Sequence, residues 1–520
     1  MAEVLYSAVT RNNHNRIVIG NKILEIITSG MYNEPKMVLR EYIQNASDAI
    51  DDAINAKLMC AEEARIRISI NGLERSIVIE DNGIGIKNKS VKQTLCSIAF
   101  SLKTNLNSRG FRGIGRLAGL GYCETIRFET KTVNDKKIAI VTWDGNVLER
   151  IIAEEGNSRS IEEAIHESTK IEYVQLSPGY QSHFFRVTLL NVKRFHKDEL
   201  MNVKDVRNYI SQAAPIDFSE ERFPYAKLIN NHLNKIKGYK NYRIEINGQA
   251  IFKPHELVMH FKDGKSDVIK DIRFVEFKGK SGNIIASGWY ALTNFMASLP
   301  KDALMRGIKV RQGNIAIGDE RFLDSIFTEQ RFALWHVGEI HVDYSIKLNA
   351  RRDGFEQSRE AEPFFEQLNV LGKKLSRICR NASLSRNRRL STLKRLSRMS
   401  QEFTAPVFID KSHKEKKITS ALGHLRAISE EQEYCDDKEI GKSVETIIAK
   451  IREIEQRNGC VITNYLDGRK YRHLSKKDIF MIMLNNVFES YNTSRSSEEL
   501  VLKSIRQFLK KEWLNGKRHC

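Results

Sequence analysis

The sequence lacks long apolar runs, paired cysteine motifs and internal repeats. Because no stretch of about 18 or more consecutive apolar residues occurs, we expect no membrane-spanning helix. The N-terminus, Met1–Ser7, has no basic patch followed by an apolar stretch, which argues against a secretory signal. The seven cysteines include no Cys-x-x-Cys pair, a pattern typical of reduced thiols, so we expect a cytoplasmic protein.

Positive charge is in clear excess. The 84 lysines and arginines outnumber the 65 aspartates and glutamates, which gives a formal net charge of +19. Such a charge favours a polyanionic partner, either nucleic acid or an anionic membrane surface. A basic surface without any such partner agrees with the composition equally well. The length of 520 residues suits roughly two to four domains.

The chain divides into three predicted regions, of which residues 1–195 form the first. This region contains a strong helical pattern from Met37 to about Lys57. An alternating strand at Arg65–Ile70 is followed by an Asn71-Gly72 turn and a return strand at Ser76–Glu80. The pattern therefore predicts a helix and a β-hairpin before the first glycine-rich loop.

The second region, residues 196–360, alternates strand-like and helical segments, which predicts an α/β domain. Its strands are expected at Tyr242–Ile246, Ile308–Arg311 and Glu339–Val342. The third region, residues 361–520, is predicted to be mostly helical. Apolar residues at helical spacing support this at Phe364, Leu368, Leu371, Leu375 and Ile378. The polar stretch Lys411–Lys417 is expected to separate the last helical part.

The stretch Leu39–Ala49 carries the first candidate for chemistry. Glu41, Asn45 and Asp48 are spaced i, i+4 and i+7, which places all three on one face of a helix. A carboxylate one turn from a neutral amide suits metal-assisted hydrolysis, because the amide oxygen can ligate Mg²⁺ and the carboxylate can polarise water. Taken alone, the same spacing also describes an ordinary solvated helix face.

Two glycine-rich loops follow this helix. The segment Glu80–Ile86 contains Asp81, Gly83 and Gly85 directly after an apolar strand. The segment Gly110–Leu120 places several glycines before an apolar helical start. Glycines there let backbone amides approach phosphate oxygens at a helix N-terminus. Each loop alone is a common turn.

In this order and spacing, the three segments resemble the N-box and the two glycine boxes of the GHKL ATPase superfamily, the Bergerat fold. The likeness is strongest to the ninety-kilodalton heat-shock (HtpG-like) chaperones, with MutL- and MORC-like ATPases as relatives. Leu95–Ser101 looks like the start of their ATP lid, and the likeness covers most of residues 20–125. The resemblance implies an N-terminal α/β sandwich ATPase domain, an α/β middle (transducer-like) domain and a mostly helical C-terminal region.

The resemblance also implies roles for individual residues in binding ATP and Mg²⁺. Glu41 would be the general base, Asn45 the Mg²⁺ ligand and Asp81 the acceptor of the adenine amino group. Gly85 would let the base approach. Further nucleotide contacts would come from Asp48, Ala49, Gly83, Ser101, Lys103, Gly110, Gly113, Ile114 and Gly115, with the glycines at 110, 113 and 115 lining the triphosphate.

The sequence departs from the chaperone pattern at three places. Phe100 stands where those chaperones have lysine, so we expect Lys103 to take over a phosphate contact. Arg116 stands where they have an aromatic residue. Phe184-Phe185 stand near the position of their Gly-Thr pair, which leaves one adenine-side hydroxyl in question, with Thr188 nearby.

A segment of the second region, Lys347–Asp353, resembles the catalytic loop in the middle domain of the same chaperones. The resemblance implies that Arg352 reaches the γ-phosphate as an arginine finger, with Arg351 as its rival. A planar guanidinium there neutralises charge on the transferring phosphoryl group. A solvated basic loop is the alternative.

The basic run Lys373–Arg398 contains ten lysines and arginines and no acidic residue. Such a helix can bind phosphate backbones or an acidic protein surface, or its charges can be met by the acidic stretch Glu430–Asp437. The sequence therefore predicts a Mg²⁺-dependent ATPase that works as a homodimeric clamp on a protein client. The alternatives are a MutL- or MORC-like clamp on nucleic acid, in genome maintenance or defence, and a nucleotide sensor without hydrolysis.

Overall fold

The computed structural model describes residues 34–98, 115–154, 160–175, 182–195, 197–349, 352–404, 406, 408, 411–431, 434 and 437–456. The chain divides into two compact units, Met1–Ala382 and Ser383–Cys520. No helix in these described ranges combines the length and the apolar character that crossing a membrane requires.

The first unit mixes helices and strands throughout. In chain order these are α1 (Met37–Asn55), β1 (Arg65–Asn71), β2 (Ser76–Asp81), α2 (Val91–Cys96), β3 (Cys123–Lys131), β4 (Lys137–Asp144), α3 (Gly145–Ala153), α4 (Ile161–Ser168), β5 (Thr169–Gln175), β6 (Phe184–Val192), α5 (Val203–Ala213), α6 (Ala226–Leu233), β7 (Arg243–Ile246), β8 (Gln249–Ala250), β9 (Val258–His260), β10 (Ser266–Val268), β11 (Asp271–Lys278), β12 (Ile284–Leu292), β13 (Gly307–Gln312), β14 (Ile315–Ile317), β15 (Val337–Val342) and the beginning of α7 (Glu362–Glu402). Short 3₁₀ turns lie at Ala61–Glu63, Asn88–Ser90, Gly115–Gly121, Asp324–Ile326 and Gln330–Trp335.

The first sheet has the strand order β5-β4-β3-β6-β2-β1-β7-β8. Its neighbouring strands are antiparallel except β1 and β7, which pair in parallel from Arg65↔Arg243 to Ile68↔Ile246. The Tyr242–Ile246 segment was expected as a strand of the second region. It is a strand, but it joins the first sheet, because the local pattern of a strand does not specify which partner it pairs with.

Helix α1 lies on one face of this sheet and shares a core with it. Val38, Leu39 and Ile50 on α1 are completely buried together with Ile68 of β1 and Ile79 of β2. In β1 the buried residues alternate with exposed ones, as a strand with one covered face requires. Each such side chain contributes about 1.5–3 kcal/mol when it leaves water. The packing therefore fixes which face of α1 turns away from the sheet.

A second sheet of the first unit has the order β11-β12-β15-β13-β14. The expected strands at 308–311 and 339–342 are β13 and β15, which pair in parallel. The first turns of α7 pack Phe364, Leu368 and Leu375 into the same core as Ile308. The apolar residues that the sequence places at helical spacing therefore form the buried side of α7.

A cluster of charged side chains is buried between this sheet and the end of α5. Glu339 accepts hydrogen bonds from Lys253 at 2.7 Å and from Arg311 at 2.8 Å, and all three are completely buried. Arg311 also donates to the carbonyl of Gln212 at 2.6 Å, in the last turn of α5. Burial opposes ionisation of Glu339, but the two cations hold its pKa well below the usual value. Burial also lowers the pKa of Lys253 to about 8.

The second unit is helical in its described part, as predicted for the C-terminal region. It contains the end of α7, α8 (Lys411–Glu430) and α9 (Lys438–Gln456). Its core includes Leu396, Leu425 and Ile447. The stretch Lys411–Lys417 was expected to separate helical parts and instead forms the first turns of α8. Lysine and glutamate are good helix formers, so high polarity alone did not mark a break.

Candidate active site

Helix α1 presents a polar face opposite its packed face. Glu41 and Asp48 are each 5% exposed, and Asn45 between them is half-buried. Ala49, expected as a nucleotide contact, is half-buried and lies beside Gly83 in the first glycine-rich loop. Glu41, Asn45 and Ala49 therefore form one line along the helix. At 1.5 Å per residue this line is about 12 Å long.

The first glycine-rich loop is fixed over the C-terminal half of α1. The amide of Gly83 donates to Oδ1 of Asp81 at 2.9 Å, and the amide of Ile84 donates to the carbonyl of Ala49 at 3.0 Å. A Cβ atom at Gly83 would lie 2.6 Å from the backbone of Ala49. Gly85 has φ +72° and lies tightly against the carbonyl of Lys131, so both glycines are required by close approach.

A buried hydroxyl and a histidine hold this loop, and neither was predicted from the sequence. The amide of Ile86 donates to Oγ1 of Thr130 at 2.9 Å. Nδ1 of His183 is 2.8 Å from the carbonyl of Gly83, and as an N–H it would donate to that oxygen. Asp81 of β2 and Thr130 of β3 both pair with Phe185 of β6, which lies between them. The three side chains therefore lie on the same face of the sheet. No sequence motif marked either residue beforehand.

Thr188, the nearby hydroxyl singled out from the sequence, does not lie on this side of the sheet. Phe185 is directly opposite Asp81, and Thr188 follows it by three residues. Because side chains alternate between faces along a strand, Thr188 points to the opposite face. Thr188 therefore cannot supply the hydroxyl in question, and Thr130 is the hydroxyl that contacts the loop.

The second glycine box is described only from Gly115 onward. Ser101, Lys103, Gly110, Gly113 and Ile114 lie outside the described residues, as does Phe100. Gly115 lies against the catalytic candidate, since a Cβ atom there would be 2.3 Å from Oε2 of Glu41. Any side chain at this point would require the Glu41 carboxylate to move. Glu41 thus contacts the end of one glycine loop while Ala49, two turns further, contacts the other.

Tyr42 fastens the turn after Gly115 to α1. Its ring is buried in the core, and its hydroxyl donates to the carbonyl of Arg116 at 3.1 Å and accepts from the amide of Gly119 at 3.2 Å. Arg116 itself donates to the carbonyl of Ser97. Burial lowers the pKa of Arg116 to about 10, so the guanidinium stays charged near neutrality. This chain therefore has a cation at the position where the resembling chaperones have an aromatic ring.

The second-region arginine reaches the same carboxylate. Nη1 of Arg352 lies 3.5 Å from Oε2 of Glu41 and donates to Oε1 of Gln44. On the other flank, Arg40 places its guanidinium 3.7 Å from Oε1 of Glu41. Arg352 is buried and sits in the left-handed region with φ +56°. The rival Arg351 lies outside the described residues.

The donor set suits Mg²⁺ and a nucleotide. The side chain of Asn45 makes no hydrogen bond to any described residue, so its amide oxygen is available as a ligand. Within the described ranges, no three His, Cys, Asp or Glu side chains cluster as a protein-only metal site. A Mg²⁺ here would therefore take its other ligands from phosphate oxygens and water.

Comparison with known proteins gives a family match and distant relatives. Residues 32–173 match the family model described as histidine kinase-, DNA gyrase B-, and HSP90-like ATPase. The chaperone protein HtpG of Helicobacter pylori (strain ATCC 700392 / 26695) is 24% identical over 214 residues, 36% of this chain and 34% of that protein. HtpG of Buchnera aphidicola subsp. Cinara cedri (strain Cc) is 25% identical over 236 residues, 40% of this chain and 36% of that protein.

A shorter stretch matches more closely. The chaperone protein HtpG of Orientia tsutsugamushi (strain Boryong) is 37% identical over 86 residues, which is 15% of this chain and 14% of that protein. The matches to these three curated relatives span at most 36% of their length. The residues that match the family model include α1 and both glycine-rich loops of the candidate site. Residues 32–173 are therefore similar to the histidine kinase-, DNA gyrase B- and HSP90-like ATPases.

Proposed function

We propose that this chain binds ATP between α1 and the two glycine-rich loops and hydrolyses it to ADP and phosphate. The contact of Glu41 with both Gly115 and Arg352 carries the proposal, because it joins a carboxylate, a glycine-loop backbone and a cation at one point. Asp81 would accept the hydrogen bond of the adenine amino group. Asn45 would ligate Mg²⁺, which when bound neutralises phosphate charge.

In the proposed reaction Glu41 takes a proton from water as the water oxygen attacks the γ-phosphorus. The bond between that phosphorus and the bridging oxygen breaks, and ADP leaves with the electron pair. Arg352 neutralises the charge that develops on the transferring phosphoryl group. The exclusion of solvent around Glu41, which is 5% exposed, strengthens each of these interactions.

Turnover and nucleotide binding, measured side by side with Mg²⁺, test this assignment. We expect Glu41→Ala to abolish turnover while nucleotide binding persists, and Asn45→Ala to lose Mg²⁺-dependent binding. Arg352→Ala should slow turnover only. Glu62→Ala, at an exposed position outside the site, is the matched control. Unchanged turnover in Glu41→Ala would remove the catalytic assignment and favour a nucleotide sensor.

For the whole chain we propose a homodimeric, cytoplasmic clamp that closes on ATP and acts on a protein client. The partial similarity to chaperone proteins supports this over other outputs of the same site. Ligand binding would shift the population toward the closed state only by its greater affinity for that state. Sedimentation with and without a non-hydrolysable ATP analogue, at several protein concentrations, tests the dimer. A monomer under all conditions would contradict it.

A clamp on nucleic acid is the second candidate, and part of the basic run supports it. Lys394, Arg395 and Arg398 in the second unit are exposed and make no ion pair with any described residue. Arg389, by contrast, pairs with Asp437, at the end of the acidic stretch Glu430–Asp437, and with Glu439 just beyond that stretch. Unpaired cations on one helix can bind phosphate backbones.

DNA affinity measured from low to high salt separates the two candidates. A nucleic-acid clamp predicts a steep fall with salt and a large loss when Lys394, Arg395 and Arg398 are changed to glutamine. Changing Lys411, Lys416 and Lys417 on α8 removes the same charge and controls for net charge alone. Absence of binding at low salt would eliminate the nucleic-acid candidate.

A further inference from the structure

Gln44 lies one turn after Glu41 on α1 and is 4% exposed. Its Oε1 accepts a hydrogen bond from Nη1 of Arg352, the same nitrogen that lies 3.5 Å from Glu41. We propose that Gln44 is a positioning residue, which holds the Arg352 guanidinium beside the Glu41 carboxylate. This inference rests on the proposed function of the site and adds to it a residue that none of the motifs identified.

The loop that carries Arg352 is fixed internally but not at the guanidinium. The amide of Asn349 donates to the carbonyl of Gly354 at 3.0 Å, and Nδ2 of Asn349 donates to Oδ1 of Asp353 at 2.7 Å. These bonds support the left-handed backbone of Arg352, a conformation that costs a non-glycine residue about 1–3 kcal/mol. Beyond its loop, the Arg352 side chain makes its polar contacts, among the described residues, with Glu41 and Gln44. The direction of the guanidinium therefore depends on α1.

The chemistry of an amide suits this task better than that of a carboxylate. A guanidinium has five N–H donors in a rigid fork, so a bond from one nitrogen to Gln44 leaves donors for a phosphoryl oxygen. Gln44 is neutral and adds no negative charge where a triphosphate would bind. A glutamate at this position would also hold Arg352, but it would repel the phosphates and partly neutralise the arginine.

The steady-state kinetics of ATP hydrolysis test this with Gln44→Ala, Arg352→Ala and the double variant. We expect Gln44→Ala to lower kcat about tenfold, the effect of losing one hydrogen bond to a charged group, with KM for ATP within about twofold. In the Arg352→Ala background the same change should have almost no further effect. Asn55→Ala, at the exposed end of α1, should behave as wild type. Independent, multiplicative losses in the double variant would overturn the proposal.

Two further measurements separate positioning from a general loss of structure. Gln44→Glu should keep the contact with Arg352 and raise KM for ATP about tenfold, while Gln44→Ala leaves KM unchanged. Hydrogen exchange of the segment 345–356 should become faster in Gln44→Ala and stay at the wild-type rate in Gln44→Glu. If the wild-type chain does not hydrolyse ATP, the proposed function fails, and the exchange measurement alone decides on Gln44. Unchanged exchange in Gln44→Ala would then overturn its assignment.

Discussion

The carboxylate of Glu41 and the guanidinium of Arg352 are 311 residues apart in the sequence and 3.5 Å apart in the structure. The same carboxylate oxygen faces Gly115, where even a methyl group would collide with it. Three distant segments of the chain therefore meet at one oxygen atom. Changes in any of the three should alter the chemistry of Glu41 while the surrounding cores stay intact.

Gly115→Ala should reduce ATP turnover at least tenfold with little effect on folding. The added Cβ would lie 2.3 Å from Oε2 of Glu41, so the carboxylate would have to move. The measurement is kcat, with circular dichroism to monitor the fold. Gly72→Ala is the matched control, because a Cβ at Gly72 meets nothing within 4 Å. Equal losses in both variants would contradict a specific role for this close approach.

Thr130→Val should weaken ATP binding about tenfold, which corresponds to the loss of roughly one buried hydrogen bond. The change keeps the side-chain volume but leaves the amide of Ile86 without its 2.9 Å acceptor, which loosens the loop after Asp81. Isothermal titration with ATP provides the measurement. Thr188→Val alters a hydroxyl on the opposite face and should leave the affinity unchanged. The reverse ranking of the two variants would show that the face assignment is wrong.

Glu339→Gln should lower the free energy of unfolding by about 3–5 kcal/mol, because it leaves buried cations without their counter-charge. Lys253 and Arg311 are both completely buried against this carboxylate. Urea unfolding of the full chain gives the change. Glu362→Gln breaks an exposed pair with Lys280 and should change the free energy by no more than about 1 kcal/mol. Similar small shifts in both variants would mean that the buried cluster contributes little.

The stability of the first unit should fall as the pH drops below about 6.5. Burial lowers the pKa of His255 and of His336 to about 3, whereas an unfolded histidine has a pKa near 6.5. Between these values the unfolded chain binds more protons, so stability is complete above the window and is lost on acidification. The thermal midpoint between pH 7 and pH 5 reports this loss.

His255→Phe tests the cause of this pH dependence. His255 is packed by the rings of Phe218, Phe223 and Trp289, and neither ring nitrogen has a hydrogen-bond partner among the described residues. A phenylalanine should therefore fit and reduce the acid-induced shift of the midpoint. His260→Phe, at an exposed position, should leave the shift as it is. An unchanged pH dependence in His255→Phe would assign the effect to other groups.

The sequence pattern predicted those helices and strands whose formation depends on residues close together in the chain. The helix from Met37 and the hairpin strands followed from periodicity, and the structure has them as α1, β1 and β2. The predicted turn at Asn71-Gly72 also lies between these strands: Asn71 pairs with Ser76, and Arg75 takes a left-handed conformation with φ +47° in the loop. Turn length depends on the register of both strands, which two residues alone do not fix.

Contacts between distant segments could not be predicted from the sequence. Gln44 lies within the Leu39–Ala49 segment but was assigned no role there, and its partner Arg352 is 308 residues away. Thr188 and Thr130 lie on different strands, and only the pairing of β2, β6 and β3 reveals which one shares a face with Asp81. The family resemblance indicated candidate residues, but their orientation depends on the register of the whole sheet.

The parallel pairing of β1 with β7 has a consequence for synthesis of the chain. Ile70 and Asn247 bond to each other across 177 residues, so a ribosome must make all of them before the edge of β1 can be covered. Until then that edge presents unpaired amides and carbonyls to other nascent chains. A fragment that stops at residue 195 would keep this edge bare permanently. Expression pieces that contain the first sheet should therefore extend beyond β8, which ends at Ala250.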